Sequence, residues 1–182
     1  MNNIKKAINI LIAGFGGQGI LFTGKLLAEM GLIEGKEVTW MPSYGPAMRG
    51  GTCNCSVCVS DTPIGSPVVL KPDLLIVMNT PSYDKFISDI KPGGMALVDS
   101  SLVNSETKVP DGVVRFDIPA AKLAVENELQ GMANIIMLGK LLKETKSSTL
   151  EVAEKALKKI ITQSKEHLIA LNMKAIRIGY NY

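Results

Sequence analysis

The chain has 182 residues, of which 46% are hydrophobic and 20% charged, with a net charge of +3 and a mean hydropathy of +0.20. That length suffices for one domain with its own core, since a chain of ~150 residues hides roughly 70% of its unfolded surface, and the composition excludes a disordered polypeptide. The pI of 8.7 reflects dispersed lysines and only 5% of residues are aromatic, so the basic and aromatic faces that bind nucleic acid are missing.

A membrane span is not expected either. The most apolar stretch, residues 7–22, is broken by glycine and glutamine between Gly14 and Gly19, short of the roughly 20 apolar residues a spanning helix needs. Lys5 and Lys6 before an apolar run imitate a signal peptide, but no small-x-small cleavage site follows. Cys53, Cys55 and Cys58 are close together and odd in number, which suits a reducing compartment better than a secreted disulfide framework. The expectation is a cytoplasmic protein with no membrane and no nucleic-acid partner.

In chain order, residues 7–13 (AINILIA) read as a buried strand, because a short apolar run ended by glycine suits a parallel strand covered on both faces. Residues 18–33 then place Ile20, Leu21, Leu27, Ala28 and Leu32 at helical spacing, with Gly35 as the stop. Residues 38–41 read as a second strand, and PSYGPAMRGG, residues 42–51, as a shaped loop forbidden regular structure by its prolines and glycines. Strands are expected at 52–59, 74–78 and 95–99, with a short helix in PSYDKFISDIKPGG between the last two. Residues 113–116 end the strand series, with Asp117 and Pro119 marking a helix start, and three or four helices follow. The clearest opens on Ser148 and Glu151 as a capping box and lines Leu150, Ala153, Leu157, Ile160 and Ile161 along one face. The order implies a three-layer α/β sandwich with a largely parallel, Rossmann-like sheet and a helical C-terminal tail, forming a single domain over residues 1–182.

The motif with chemistry in it is GFGGQG, residues 14–19. Gly14, Gly16 and Gly19 at G-x-G-x-x-G spacing permit a tight strand-to-helix turn and close backbone approach, and the helix N-terminus offers N–H groups to an anion. The same glycines serve equally a packing turn without a ligand. A dinucleotide site also wants an acid ending the second strand, where this chain reads Thr39-Trp40-Met41-Pro42-Ser43, and Lys25 follows Thr23 and Gly24 in an order unlike a Walker loop. NAD, NADP and a P-loop are thereby disfavoured.

Arg49 stands in the second glycine-rich loop, near the carboxyl edge where ligands of α/β folds gather. It suits a carboxylate or phosphate clamp, and equally a structural arginine or a subunit contact. The C-x-C-x-x-C run invites a metal, but on a strand Cys53 and Cys55 share a face with Val57 and Val59 while Cys58 faces away. Small buried thiols are the better reading, and no metal ligand is assigned. His167 is the only histidine; it, Asp84, Asp89 and the lysines of 155–159 read as surface groups, and Trp40 as core. No catalytic residue is assigned.

GFGGQGI, YGPAMRGG, GTCNCSV, the IGSP turn, NTPSYDKF, ANIIMLGKLL and the closing LNMKAIRIGY occur in that order. Together they resemble the gamma subunit of 2-oxoacid:ferredoxin oxidoreductases over most of the chain. The resemblance implies a complex that oxidatively decarboxylates a 2-oxo acid to an acyl-CoA and CO2, with electrons passing to ferredoxin. The chain lacks the G-D-G motif for thiamine diphosphate and magnesium, and lacks a four-cysteine iron–sulfur run. Those cofactors are therefore implied in partner subunits of alpha, beta and ferredoxin-like delta type, leaving the isolated chain inactive.

For this chain the resemblance suggests that Gly14, Gly16, Gly17, Gln18, Gly19 and Arg49 form loops that receive coenzyme A phosphates or contact a subunit. The family loop often carries an acid where Ala47 stands, so no acidic role is transferred there. The SYGPAMRGG form is most similar to the 2-oxoglutarate branch, and exposed apolar surface on an orphaned subunit leaves a homodimer open. The alternative is a stand-alone nucleotide-binding module, which would bind free nucleotide without companions.

Overall fold

The computed structural model describes residues 7–44 and 52–182. The first strand, β1 (Ile8–Phe15), runs into helix α1 (Ile20–Ile33), and α1 is followed by β2 (Glu37–Tyr44) and β3 (Thr52–Ser60). Then come β4 (Leu74–Val77), α2 (Thr80–Phe86), β5 (Met95–Asp99) and β6 (Val114–Ile118). Four helices close the chain: α3 (Ala120–Glu126), α4 (Ala133–Thr145), α5 (Leu150–Ile160) and α6 (His167–Asn181). Sheet order is β2-β3-β1-β4-β5-β6. β1, β4, β5 and β6 pair in parallel, while β3 runs antiparallel to both of its neighbours. The sheet is thus largely parallel with a single reversed strand, as a β2–β3 hairpin requires.

Alternation along the central strands divides the core in two. Ile10, Ile12, Leu74, Ile76 and Leu97 meet α1 and the four C-terminal helices, whereas Leu11, Ala13, Leu75, Val77 and Val98 meet Tyr83 of α2, Ile87 and Ile90. That gives three layers, with most of the helical mass on one face. The tail is locked by α4 and α6 crossing at Gly139 and Gly179.

Several boundaries depart from the sequence reading. Pro42, Ser43 and Tyr44 belong to β2 rather than to a loop; an edge strand tolerates proline because one of its sides has no partner. Asp117 lies within β6, where its carboxylate holds Arg115 at 2.6–3.0 Å, and Pro119 caps α3. The N-cap of α5 is Thr149, whose hydroxyl accepts the Val152 N–H at 3.3 Å, while Ser148 instead donates to the Glu34 carboxylate. Trp40 is 38% exposed rather than core, although its indole packs against α1. The stop of α1 is at Gly35, with φ of +72°.

Candidate functional site

The carboxyl edge of the sheet gathers the site. After β1 the chain turns through residues 16–19 into α1, which leads toward β2 on one side, whereas β4 lies on the other side of β1. The loops after β1 and β4 therefore diverge and leave the crevice that α/β sheets use for ligands. Because β3 is reversed, its first residues lie at this same edge, with Cys53 opposite Gly14 and Thr52 opposite Phe15. Tyr44 pairs with Cys53, so the chain leaves and re-enters the described structure here on either side of residues 45–51. Arg49 lies outside the described residues.

The candidate glycines separate into different tasks. Gly14 is buried within β1, and a β-carbon there would come 2.6 Å from Gln18 Oε1 and 2.8 Å from Ile20 Cδ1. Gly17 is exposed with φ of +98°, and a β-carbon would meet nothing within 4 Å. Gly19, with φ of +76°, is the N-cap of α1, and a β-carbon would sit 2.3 Å from Asn134 Nδ2. Gly16 lies between β1 and Gly17, partly exposed. Positive φ is the reason for glycine at 17 and 19; close packing is the reason at 14.

Gln18 spends its side chain inside the protein. Its Oε1 accepts the Phe15 N–H at 2.6 Å and its Nε2 donates to the Met78 carbonyl at 2.9 Å. One amide thus closes the glycine turn and ties it across the crevice to the end of β4. Next to Met78, Asn79 caps α2 by accepting the Ser82 N–H at 2.8 Å. Asn79 Nδ2 and Ser82 Oγ are buried with no hydrogen-bond partner among the described residues, each at a cost of about 1–3 kcal/mol. On the far side of the loop, Asn134 Nδ2 donates to the Gly19 carbonyl at 3.1 Å and to Thr23 Oγ1 at 3.0 Å.

This arrangement offers an anion the N-terminus of α1, where the first-turn N–H groups and the helix dipole point out of the fold beside an exposed Gly17. Among the described residues the thiols at this edge are not activated as nucleophiles. Burial raises the Cys53 thiol and pushes Cys55 up to about 12, so both remain neutral at physiological pH. As the strand pattern requires, Cys53 and Cys55 face the large core with Val57, and Cys58 faces away, its sulfur 4.0 Å from the Ser66 carbonyl. Among the described residues no group of three or more His, Cys, Asp or Glu is placed to hold a metal, and no helix is long and apolar enough to cross a membrane.

His167 begins α6 and is exposed; Asp84 and Asp89 are exposed too. Asp84 accepts from Ser105 and Thr107, which hold its carboxyl below the usual range. A cavity of about 460 Å³ opens at the opposite, amino edge, between Ile8, Ile10, Leu27, Met30 and Leu74, and contains none of the candidate residues. Asn134 and Thr23 escaped the sequence reading. For Asn134 the only signal was the ANIIMLG stretch, which announces a helix but not what its second residue touches, and Thr23 showed only as one position of the first helix.

The fold defines an α/β domain whose glycine loop lies at a topological switch point of the sheet. Residues 9–182 match the family described as pyruvate ferredoxin/flavodoxin oxidoreductase, and the chain belongs to that family. It is 38% identical over 179 residues to the 2-oxoglutarate synthase subunit KorC of Methanocaldococcus jannaschii, covering 97% of this chain and 94% of that one. Against the ketoisovalerate oxidoreductase subunit VorA of Methanothermobacter thermautotrophicus it is 36% identical over 173 residues, covering 94% of this chain. The chain spans about a third of the length of the VorA relatives, 35% and 37%.

Solved structures agree. The gamma subunit of a keto/oxoacid ferredoxin oxidoreductase from Geobacter sulfurreducens superposes with a TM-score of 0.78 at 32% identity, covering 96% of both chains. A 2-oxoglutarate:ferredoxin oxidoreductase from Magnetococcus marinus, described with 2-oxoglutarate, coenzyme A and succinyl-CoA bound, gives a TM-score of 0.86 at 25% identity. It covers 97% of this chain and 31% of that one.

Proposed function

We propose that this chain works as the gamma-type subunit of a cytoplasmic 2-oxoacid:ferredoxin oxidoreductase, its residues forming one domain. The complex converts a 2-oxo acid and coenzyme A to acyl-CoA and CO2, passing two electrons to ferredoxin. 2-Oxoglutarate is the favoured substrate. The observation that carries the reading is the KorC match, which extends over nearly the whole of both chains. The VorA match, 36% identical, keeps a branched 2-oxo acid as the second reading. Companion alpha, beta and ferredoxin-like subunits supply thiamine diphosphate, magnesium and the iron–sulfur clusters.

Within that complex the glycine loop of this chain receives phosphate groups of coenzyme A. The exposed Gly17 leaves the backbone bare beside the N-terminus of α1, a surface that suits phosphate. Gly16, Gly17 and Gly19 provide the approach, Gly14 and Gln18 shape the turn, and Arg49 adds a cation from residues 45–51. Coenzyme A supplies the thiol that becomes the thioester; this chain binds and orients its polar end. The Arg49→Ala complex tests this. Weakened coenzyme A dependence with intact assembly supports a ligand role, unchanged dependence with intact assembly counts against it, and lost assembly makes the loop a subunit contact instead.

A further inference from the structure

The Gly19 carbonyl is the pivot of the glycine loop. It accepts the Thr23 N–H at 3.0 Å, the Thr23 hydroxyl at 3.2 Å and one Asn134 Nδ2 hydrogen at 3.1 Å. The second Asn134 hydrogen goes to Thr23 Oγ1 at 3.0 Å. Every hydrogen of this small ring has an acceptor, and the ring is closed: the amide donates twice, and the hydroxyl accepts once and donates once. Asn134 is 4% exposed and Thr23 1%, so neither reaches a ligand. In a trans peptide the C=O and N–H point opposite ways. Holding the Gly19 carbonyl along α1 therefore aims the Ile20 N–H out of the helix N-terminus.

We propose that Asn134 is a positioning residue: from the first turn of α4, its buried amide, with Thr23, fixes the glycine loop so that the leading N–H groups of α1 face the phosphates of coenzyme A. The inference rests on the coenzyme A reading above. It places part of the ligand affinity on a helix 115 residues away in sequence, behind the loop rather than in it. Gly19 belongs to the same device, since any β-carbon there would occupy the space of the Asn134 amide. The loop is held on its other flank by Gln18 and Met78, so α4 and β4 grip it from two directions, which is how binding geometry is pre-organised.

Asn134→Asp keeps the size of the side chain and replaces a double donor by an acceptor facing two oxygens. In the anaerobic complex, coenzyme A binding is measured by calorimetry without 2-oxo acid, and kcat is measured separately at saturating coenzyme A. The expected result is a Kd raised about tenfold, the scale of one charge-sensitive hydrogen-bond site, with kcat within about twofold. Thr23→Val moves Kd the same way by less, and Thr23→Ser restores it. Should Asn134→Asp fail to assemble, the Thr23→Val and Thr23→Ser pair decides: equal Kd values overturn the proposal. Gly17→Ala separates the levels. A raised Kd for Gly17→Ala with wild-type Kd for the Asn134 and Thr23 variants overturns the positioning role alone. Wild-type Kd in all of them overturns the coenzyme A reading as well.

Discussion

At the α4–α6 crossing a β-carbon on Gly179 would fall 1.7 Å from the Ile136 carbonyl oxygen, and one on Gly139 would fall 2.0 Å from that of Ile176. At Gly17 a β-carbon would touch nothing, and glycine is demanded by φ of +98° alone. One region uses the residue to let two backbones meet, and the other to bend a loop while leaving it bare. Gly24 is close-packed as well, but against side chains, since a β-carbon there would lie 2.3 Å from Cys55 Sγ. Sequence spacing cannot separate these uses; the surroundings of each glycine can. The contrast also explains why the loop has room for function while the crossing has none.

Gly179→Ala should break the packing side of this contrast most severely. Overpacking against rigid backbone costs ~3 kcal/mol, and for a chain of this size that lowers Tm by roughly 10 °C, or leaves the protein insoluble; calorimetry checks it. Cys55 gives the next effect. Burial holds its thiol neutral up to about 12, whereas in the unfolded chain a thiol ionises near pH ~8.5. Stability from this group is complete below the unfolded value and falls by about 1.4 kcal/mol per pH unit as pH rises toward the folded one. Denaturation between pH 9 and 11 should therefore be less pH-dependent in Cys55→Ala than in wild type.

Gly17→Ala should sharpen the other side. Its left-handed backbone costs about 1–2 kcal/mol, a Tm loss of only a few degrees, while coenzyme A affinity falls by more than the stability does. The smallest effect separates two neighbouring hydroxyls. Thr149→Ala removes the α5 cap and should cost ~1 kcal/mol, whereas Ser148→Ala loses only an exposed bond to Glu34 and should leave Tm unchanged.

Much of the fold was legible because it rests on local chemistry. The apolar run of β1, the Gly35 stop of α1 and the facing of Cys53 and Cys55 with Val57 all follow from periods of 2 and 3.6. Where expectation failed, the deciding partner lay elsewhere. Pro42 is strand because β2 has a free edge; Asp117 is strand because it pairs with Val98 of β5; Ser148 is not a cap because Glu34 takes its hydroxyl. In the candidate site Gly17 and Gly19 announced themselves, since their reason is backbone conformation. Asn134 did not, because an asparagine in the first turn of a helix means nothing until the loop it grips, 115 residues earlier, is in place.

Service in a coenzyme A-dependent 2-oxo acid oxidoreductase is the role proposed for this chain. It is tested most directly by purifying the tagged chain from its native cell under anaerobic conditions and assaying the eluate for reduction of a low-potential acceptor. The account predicts companion subunits carrying thiamine and iron–sulfur motifs, and activity that requires both coenzyme A and a 2-oxo acid, fastest with 2-oxoglutarate. A chain that elutes alone, inactive with every 2-oxo acid yet binding a free nucleotide, would contradict it.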